Sequence, residues 1–232
     1  MNRHNIQKIM PKRKTVVSGD WHVPFHRENA VRELLKELNG ADRLIINGDF
    51  LDCGELSTFR RYPDSPSFRE EIETGRRLLE RVRGAFRGRI DFVRGNHEAR
   101  IALRLLDSVP GLYGSVTVPG LLGLKELGIN YRDSRSPDCF ITDQGFLVGH
   151  FALARAKSGY TAHGLLEKYG KSLAQGHTHR LSMVCRTQFD RTLIGVETGC
   201  LCKPQDYAGM ADWQTGFAVI EDGKPRLVHL RP

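Results

Sequence analysis

Five short blocks of this 232-residue chain carry side chains that could do chemistry: Asp20-Trp21-His22, Gly48-Asp49-Phe50-Leu51-Asp52, Gly95-Asn96-His97-Glu98, Gly149-His150 and Gly176-His177-Thr178-His179. Their functional groups are carboxylate, carboxamide and imidazole without thiolate, the set that hard to borderline divalent cations prefer. Asp20, His22, Asp49, Asn96, His150, His177 and His179 can together supply a cage for such ions. Two cations about 3.5–4 Å apart can share a carboxylate and a hydroxide, and stabilise the attacking and leaving oxygens of an in-line phosphoryl displacement. His97 is then left over beside Asn96, where a general acid would be useful. Other hydrolytic chemistries are excluded. His97-Glu98 is followed by Ala99-Arg100-Ile101, so no H-E-x-x-H zinc motif forms, and no GxxxxGK[ST] phosphate loop occurs.

Groups so far apart in sequence need a rigid frame to bring them to one point. Thr15–Ser18 and Arg43–Asn47 read as short buried strands, each ending in Gly-Asp, and Ile90–Val93 as a third that runs into the Asn96 block. Glu28–Asn39 reads as a helix with Ala30, Val31, Leu34, Leu35 and Leu38 on one face. Ser67 is an N-cap for a longer helix to about Phe86, with Phe68, Ile72, Gly75, Leu79, Val82 and Phe86 at steps of three and four. A further helix follows the Asn96 block to about Leu106. Beyond Pro119 the pattern turns to strands: 139–142, 146–148, 173–175, 183–188, 193–196, 217–220 and 227–230. Each block stands where a strand ends, with a glycine before its first polar residue. Glycine there permits a sharp turn that aims the next side chain at the sheet's C-terminal edge, where open α/β sheets hold ligands. The expected fold is α/β: two mixed β-sheets packed face to face with helices outside, a four-layer α-β-β-α sandwich. Residues 1–13 read as a basic N-terminal arm and 14–232 as one domain.

The order D-x-H, GD-x-x-D, GNHE, GH, GH-x-H, spanning Asp20 to His179, resembles the calcineurin-like metallophosphoesterase superfamily. The runs Asp20–His26 (DWHVPFH) and Trp213–Phe217 (WQTGF) resemble its small bacterial and prophage members in particular. Each block is common singly; the ordered set, each at a strand end, is specific. The resemblance implies that Asp20, His22, Asp49 and His179 hold one metal, and Asp49, Asn96, His150 and His177 the other, with Asp49 bridging. It also implies that His97 is the active-site histidine and Asp52 the acid that orients it. The implied cofactors are two divalent metal ions, manganese first, with iron, zinc, nickel or magnesium as alternatives. The family fold, a double β-sandwich flanked by helices, agrees with the reading above.

Composition bounds the partners. A net charge of +8 and a pI near 9.4 favour a polyanion, although arginine outnumbers lysine 25 to 10, a bias that genome composition also produces. Nine arginines stand against three acids between Arg76 and Arg104. The five scattered cysteines read as reduced thiols, and no apolar run approaches the roughly 20 residues of a membrane span, so a cytoplasmic protein with no membrane partner is expected. Where the protein Ser/Thr phosphatase branch continues the second block as Asp-Arg-Gly, this chain has Asp52-Cys53-Gly54, and it keeps the paired GH-x-H that the branch lacks. Both departures favour a phosphodiesterase acting on DNA, RNA or a nucleotide. A phosphomonoesterase or protein phosphatase is the second reading. The third is a nucleic-acid-binding protein with a structural metal centre, which has no use for His97. His26, Tyr207 and Trp213 are weaker candidates for lining a substrate groove.

Overall fold

The architecture follows from alternation along short buried strands. In a computed structural model, which describes residues 13–59, 63–133, 139–204, 209 and 211–231, a six-stranded sheet is built from β1 (Lys14–Ser18), β2 (Arg43–Asn47), β3 (Arg89–Val93), β4 (Ile129–Arg132), β10 (Gly216–Glu221) and β11 (Lys224–His229), in the order β11-β10-β1-β2-β3-β4. A five-stranded sheet is built from β5 (Cys139–Ile141), β6 (Leu147–Gly149), β7 (Leu173–Gln175), β8 (Leu181–Gln188) and β9 (Arg191–Thr198), in the order β5-β6-β7-β9-β8. The central strands β1, β2 and β3 run parallel, as do β6, β7 and β9, while the hairpins β8–β9 and β10–β11 are antiparallel.

Successive side chains on a strand face opposite ways, and here both faces are apolar. Val16, Leu44, Ile46, Ile90 and Phe92 pack under helices α1 (Glu28–Glu37), α2 (Phe68–Ala85) and α3 (Asn96–Ser108). Their neighbours Val17, Ile45 and Val93 face the second sheet, meeting Phe140, Phe146, Val148, Ala174 and Val196. The far side of that sheet, through Leu147, Leu173 and Leu193, is covered by Leu165 and Leu166 of α5 (Tyr160–Tyr169). Helix, sheet, sheet, helix is the expected four-layer sandwich.

Three elements escaped the sequence reading: β4, the short helix α4 (Val118–Leu122) and α5. Helix α5 carries Thr161 and Gly164 in its interior, which lower helix propensity. Packing supplies what propensity lacks, because Gly195 on β9 leaves room for Ala162 and Leu166 to sit against the sheet. Residues 1–12 of the basic arm, with His4, and Tyr207 lie outside the described residues. Arg13 is tied to the fold: its backbone N–H donates to Asp222 Oδ1 at 3.0 Å and its guanidinium pairs with Asp143. No described helix is long and apolar enough to cross a membrane, and all five cysteines are free.

Candidate metal centre

The parallel strands deliver the blocks to one edge. Asp20, Asp49 and Asn96 follow the ends of β1, β2 and β3, while His150 and His177 follow β6 and β7, so loops from both sheets converge. The backbone there is unusual. Asp20, His22, Asp49, His177 and His179 all have positive φ, between 45° and 77°, as does Cys53 beside Asp52. Side chains rarely tolerate this region, and its concentration at one place marks an over-determined functional site. In the Asp20 and His177 blocks the left-handed turn is thus made by the ligand itself and not by the preceding glycine. The glycine contributes space. A Cβ at Gly176 would stand 2.8 Å from Asp20 Oδ2 and 2.9 Å from His150 Nδ1, and one at Gly95 would overlap the carboxylate of Asp49. Only at Gly48, φ 94°, does glycine serve both purposes.

The seven candidate ligands meet with their acceptor atoms facing inward. Asp20 Oδ1 lies 3.1 Å from His179 Nε2, which lies 3.1 Å from His22 Nε2. Asp49 Oδ2 lies 3.1 Å from His150 Nε2; Asn96 Oδ1 lies 3.0 Å from that same nitrogen and 2.8 Å from His177 Nδ1. Hydrogen bonds behind the rings fix which nitrogen is presented. His22 Nδ1 is 2.9 Å from Asp52 Oδ1, and His150 Nδ1 donates to the Asn47 carbonyl at 3.0 Å. Each therefore turns Nε2 inward, the orientation that metal-ligating histidines have. Lone pairs opposed at hydrogen-bond distance, with few protons to share, are what a divalent cation resolves; the donor set fits the metal that the residue types imply. The sets of three whose ligand atoms lie within 4.8 Å of one another are His22–Asp49–His97, Asp49–His150–His177 and His22–His179–Cys202. Asp49 belongs to two of them.

His97 stands at the same centre. Its Nε2 is 3.8 Å from Asp49 Oδ2, its ring meets that of His22 edge-on at 4.4 Å, and its backbone N–H donates to Asp49 Oδ1. Its Nδ1 donates to the backbone carbonyl of Asp52 at 2.6 Å. Asp52 thus serves two histidines with different atoms: the carbonyl meets His97, and the carboxylate meets His22, lying farther from His97 Nδ1 at 3.7 Å.

Electrostatics follow burial and neighbours. Burial would raise the Asp49 carboxyl, but the imidazoles of His150 and His97 hold it well below the usual carboxylate range. Burial would lower His150, yet the charge of Asp49 raises it to about 10. His97 is lowered to about 4, mainly by burial, so its free imidazole is neutral at pH 7.

Further residues complete the site, of which the sequence had not singled out Glu197, Cys202 and Arg100 as site residues. Glu98 accepts from the backbone N–H groups of Asp49, Leu51 and Gly95, locking the second and third blocks together without facing the ligand cluster. Glu197 accepts from Thr178, which holds the loop between His177 and His179. Cys202 Sγ lies 3.9 Å from His179 Nδ1, and the ring of Trp213 lies 3.9 Å from that of His179. Arg100 Nη2 is 3.0 Å from His97 Nε2. Its only sequence signal was its place one helical turn beyond His97. His26 lies off the cluster, with Nε2 3.3 Å from Glu28 Oε1.

The chain is similar to several known proteins. The "Gene 54 protein" of Mycobacterium phage L5 is 27% identical over 245 aligned residues, covering 94% of each chain. Among solved structures, purple acid phosphatase PPD1 from yellow lupin seeds aligns with a TM-score of 0.49 and 13% identity, over 95% of this chain and 51% of that one. A single-mutant Vps29 from Entamoeba histolytica aligns with a TM-score of 0.44 and 14% identity, over 94% and 99%. The family model described as calcineurin-like phosphoesterase matches residues 13–181, which contain every block from Asp20 to His179. The chain belongs to that family and is a metal-dependent phosphoesterase.

Proposed function

We propose that the chain hydrolyses a phosphodiester, of a nucleotide or a nucleic-acid strand, with two divalent cations that share the Asp49 carboxylate. The observation that carries this is the membership of Asp49 in two ligand clusters, one toward His22 and one toward His150 and His177. Asp20, His22, Asp49 and His179 would hold one ion and Asp49, Asn96, His150 and His177 the other; manganese is the first choice. When bound, the ions would supply positive charge to the phosphoryl oxygens and acidify water.

The protein's own groups do the rest. Asp52 and the Asn47 carbonyl keep His22 and His150 in the ligating tautomer. His97, anchored through Nδ1, turns Nε2 toward the Asp49 side of the cluster, where a leaving oxygen can be protonated. Burial leaves that imidazole neutral in the free protein, and the negative charge of an arriving phosphate favours its protonated form. Such proton transfer contributes roughly 10²–10⁴ in rate.

A diester is favoured over a monoester because the chain has Asp52-Cys53-Gly54 where the protein phosphatase branch has Asp-Arg-Gly, and keeps the paired His177-Thr178-His179 that the branch lacks. The basic balance of the whole chain supports a nucleotide-type substrate. The test is turnover by manganese-loaded protein of bis(p-nitrophenyl) phosphate, p-nitrophenyl phosphate, DNA and RNA. Cleavage of the diester at least tenfold faster than the monoester is expected; the reverse preference would replace this reading with a phosphomonoesterase, and no turnover with any divalent metal with a structural centre.

A further inference from the structure

The segment after Asp52 lacks an arginine, but one reaches the Asp52 backbone from another element. Arg100 lies on α3 three residues beyond His97, so both side chains share one face of the helix. Its Nη1 donates to the Asp52 carbonyl at 2.9 Å, the same oxygen that receives His97 Nδ1 at 2.6 Å, and its Nη2 faces His97 Nε2 at 3.0 Å. Among the described residues the guanidinium makes no ion pair: its partners are a backbone carbonyl and an imidazole nitrogen. A half-buried cation so placed stands at the His97 nitrogen that itself lies 3.8 Å from Asp49 Oδ2, with donors of its guanidinium still to be matched. Anionic oxygens are what a guanidinium's planar fork of donors matches best.

We propose that Arg100 binds a non-bridging oxygen of the substrate's phosphoryl group, exchanging its contact with His97 Nε2 for the phosphate and leaving that nitrogen free to face the departing oxygen. The proposal rests on the phosphoester reading of the centre and adds a substrate-binding residue to it. The competing role is a purely structural strap: Arg104, one turn further on, holds the Leu56 and Ser57 carbonyls at 3.3 Å each, and Arg100 could be doing the same for Asp52.

The two roles separate by binding of inorganic phosphate to manganese-loaded protein, followed by calorimetry, with metal content measured alongside. Arg100→Gln can still donate to the Asp52 carbonyl but has no charge, and should bind phosphate about 10- to 100-fold more weakly, the size of a charged hydrogen bond. Arg100→Lys should fall between it and the natural protein. Both should keep the full metal content, and Arg104→Gln should bind phosphate within twofold of the natural protein. The proposal is overturned if Arg100→Gln binds within twofold, if Lys and Gln are equally weak, if Arg104→Gln is weakened as much, or if the Arg100 variants lose metal. If the natural protein itself takes up no phosphate, the phosphoester reading of the centre fails first.

Discussion

At the residue scale, the centre is held by backbone that side chains ordinarily avoid. Five of the seven candidate ligands or their direct neighbours in the D-x-H, GD and GH-x-H blocks sit at positive φ, each costing of order 1–3 kcal/mol, offset by the packing and hydrogen bonds around them. Close contacts make the small residue before four of the blocks, Gly19, Gly48, Gly95 and Gly176, a steric requirement. Gly95→Ala would drive a methyl group into the Asp49 carboxylate and should strip metal from the protein, read by elemental analysis, while far-UV circular dichroism stays near that of the parent. Gly84→Ala, on α2 with open space around it, should instead raise stability by about 0.5–1 kcal/mol. Normal metal content in Gly95→Ala would mean that the Asp49 carboxylate has freedom the packing denies it. The ligand types and their order were legible in the sequence because chemistry limits which side chains bind hard cations. Which atom of Asp52 meets which histidine was not, since only the tertiary fold decides between carbonyl and carboxylate.

At the element scale, strands β2 and β7 could be read to the residue and most others to within one or two, because apolar runs bounded by Gly and Asp leave little choice. Helix α2 was equally plain from its Ser67 N-cap, which the structure extends to a reciprocal cap: Ser67 accepts from Glu70 N–H while Glu70 Oε2 accepts from Ser67 N–H. Helix α5 was hidden because Gly164 and Thr161 speak against a helix locally, and only the space above Gly195 makes it favourable. Among the charged residues of α2, Glu71 is buried. Its Oε1 accepts the Cys53 N–H at 2.6 Å, and burial, aided by the charges of Asp52 and Glu98, raises its carboxyl to about 8. An unfolded chain would ionise it near 4.5. Its stabilising contribution is thus complete below about pH 4.5 and is lost as pH rises to about 8, at roughly 1.4 kcal/mol per pKa unit. Glu71→Gln keeps an acceptor for Cys53 without the charge. Thermal melts should show the variant gaining on the parent steadily from pH 4.5 to 8; a pH-independent difference would contradict the assignment.

At the scale of the whole molecule, the arginines that suggested a polyanion are engaged in separate local contacts and do not line one track. Arg76 and Arg83 hold carbonyls at Leu121 and Leu127, Arg81 pairs with Glu28, Arg89 with Asp91, and Arg94 with Asp133. Arg83, Arg87 and Arg89 line a shallow cleft at the start of β3, the end of the strand opposite the Asn96 block. A count of arginines along the sequence cannot see such pairing, so the steep salt dependence expected from composition should not appear. Binding of a DNA oligonucleotide to a catalytically silent His97→Ala protein should show a log–log salt slope no steeper than about −2, the release from one or two phosphates at roughly −0.9 each. A slope of about −5 would restore an extended nucleic-acid track.

The account turns on a pair of ions joined through one carboxylate, and metal content tests that most directly. Elemental analysis of protein equilibrated with manganese should find two ions per chain, and Asp49→Asn, which removes charge shared by both clusters, should lose affinity for both while remaining folded. One ion in the parent protein, or two at undiminished affinity in Asp49→Asn, would contradict the shared-carboxylate centre.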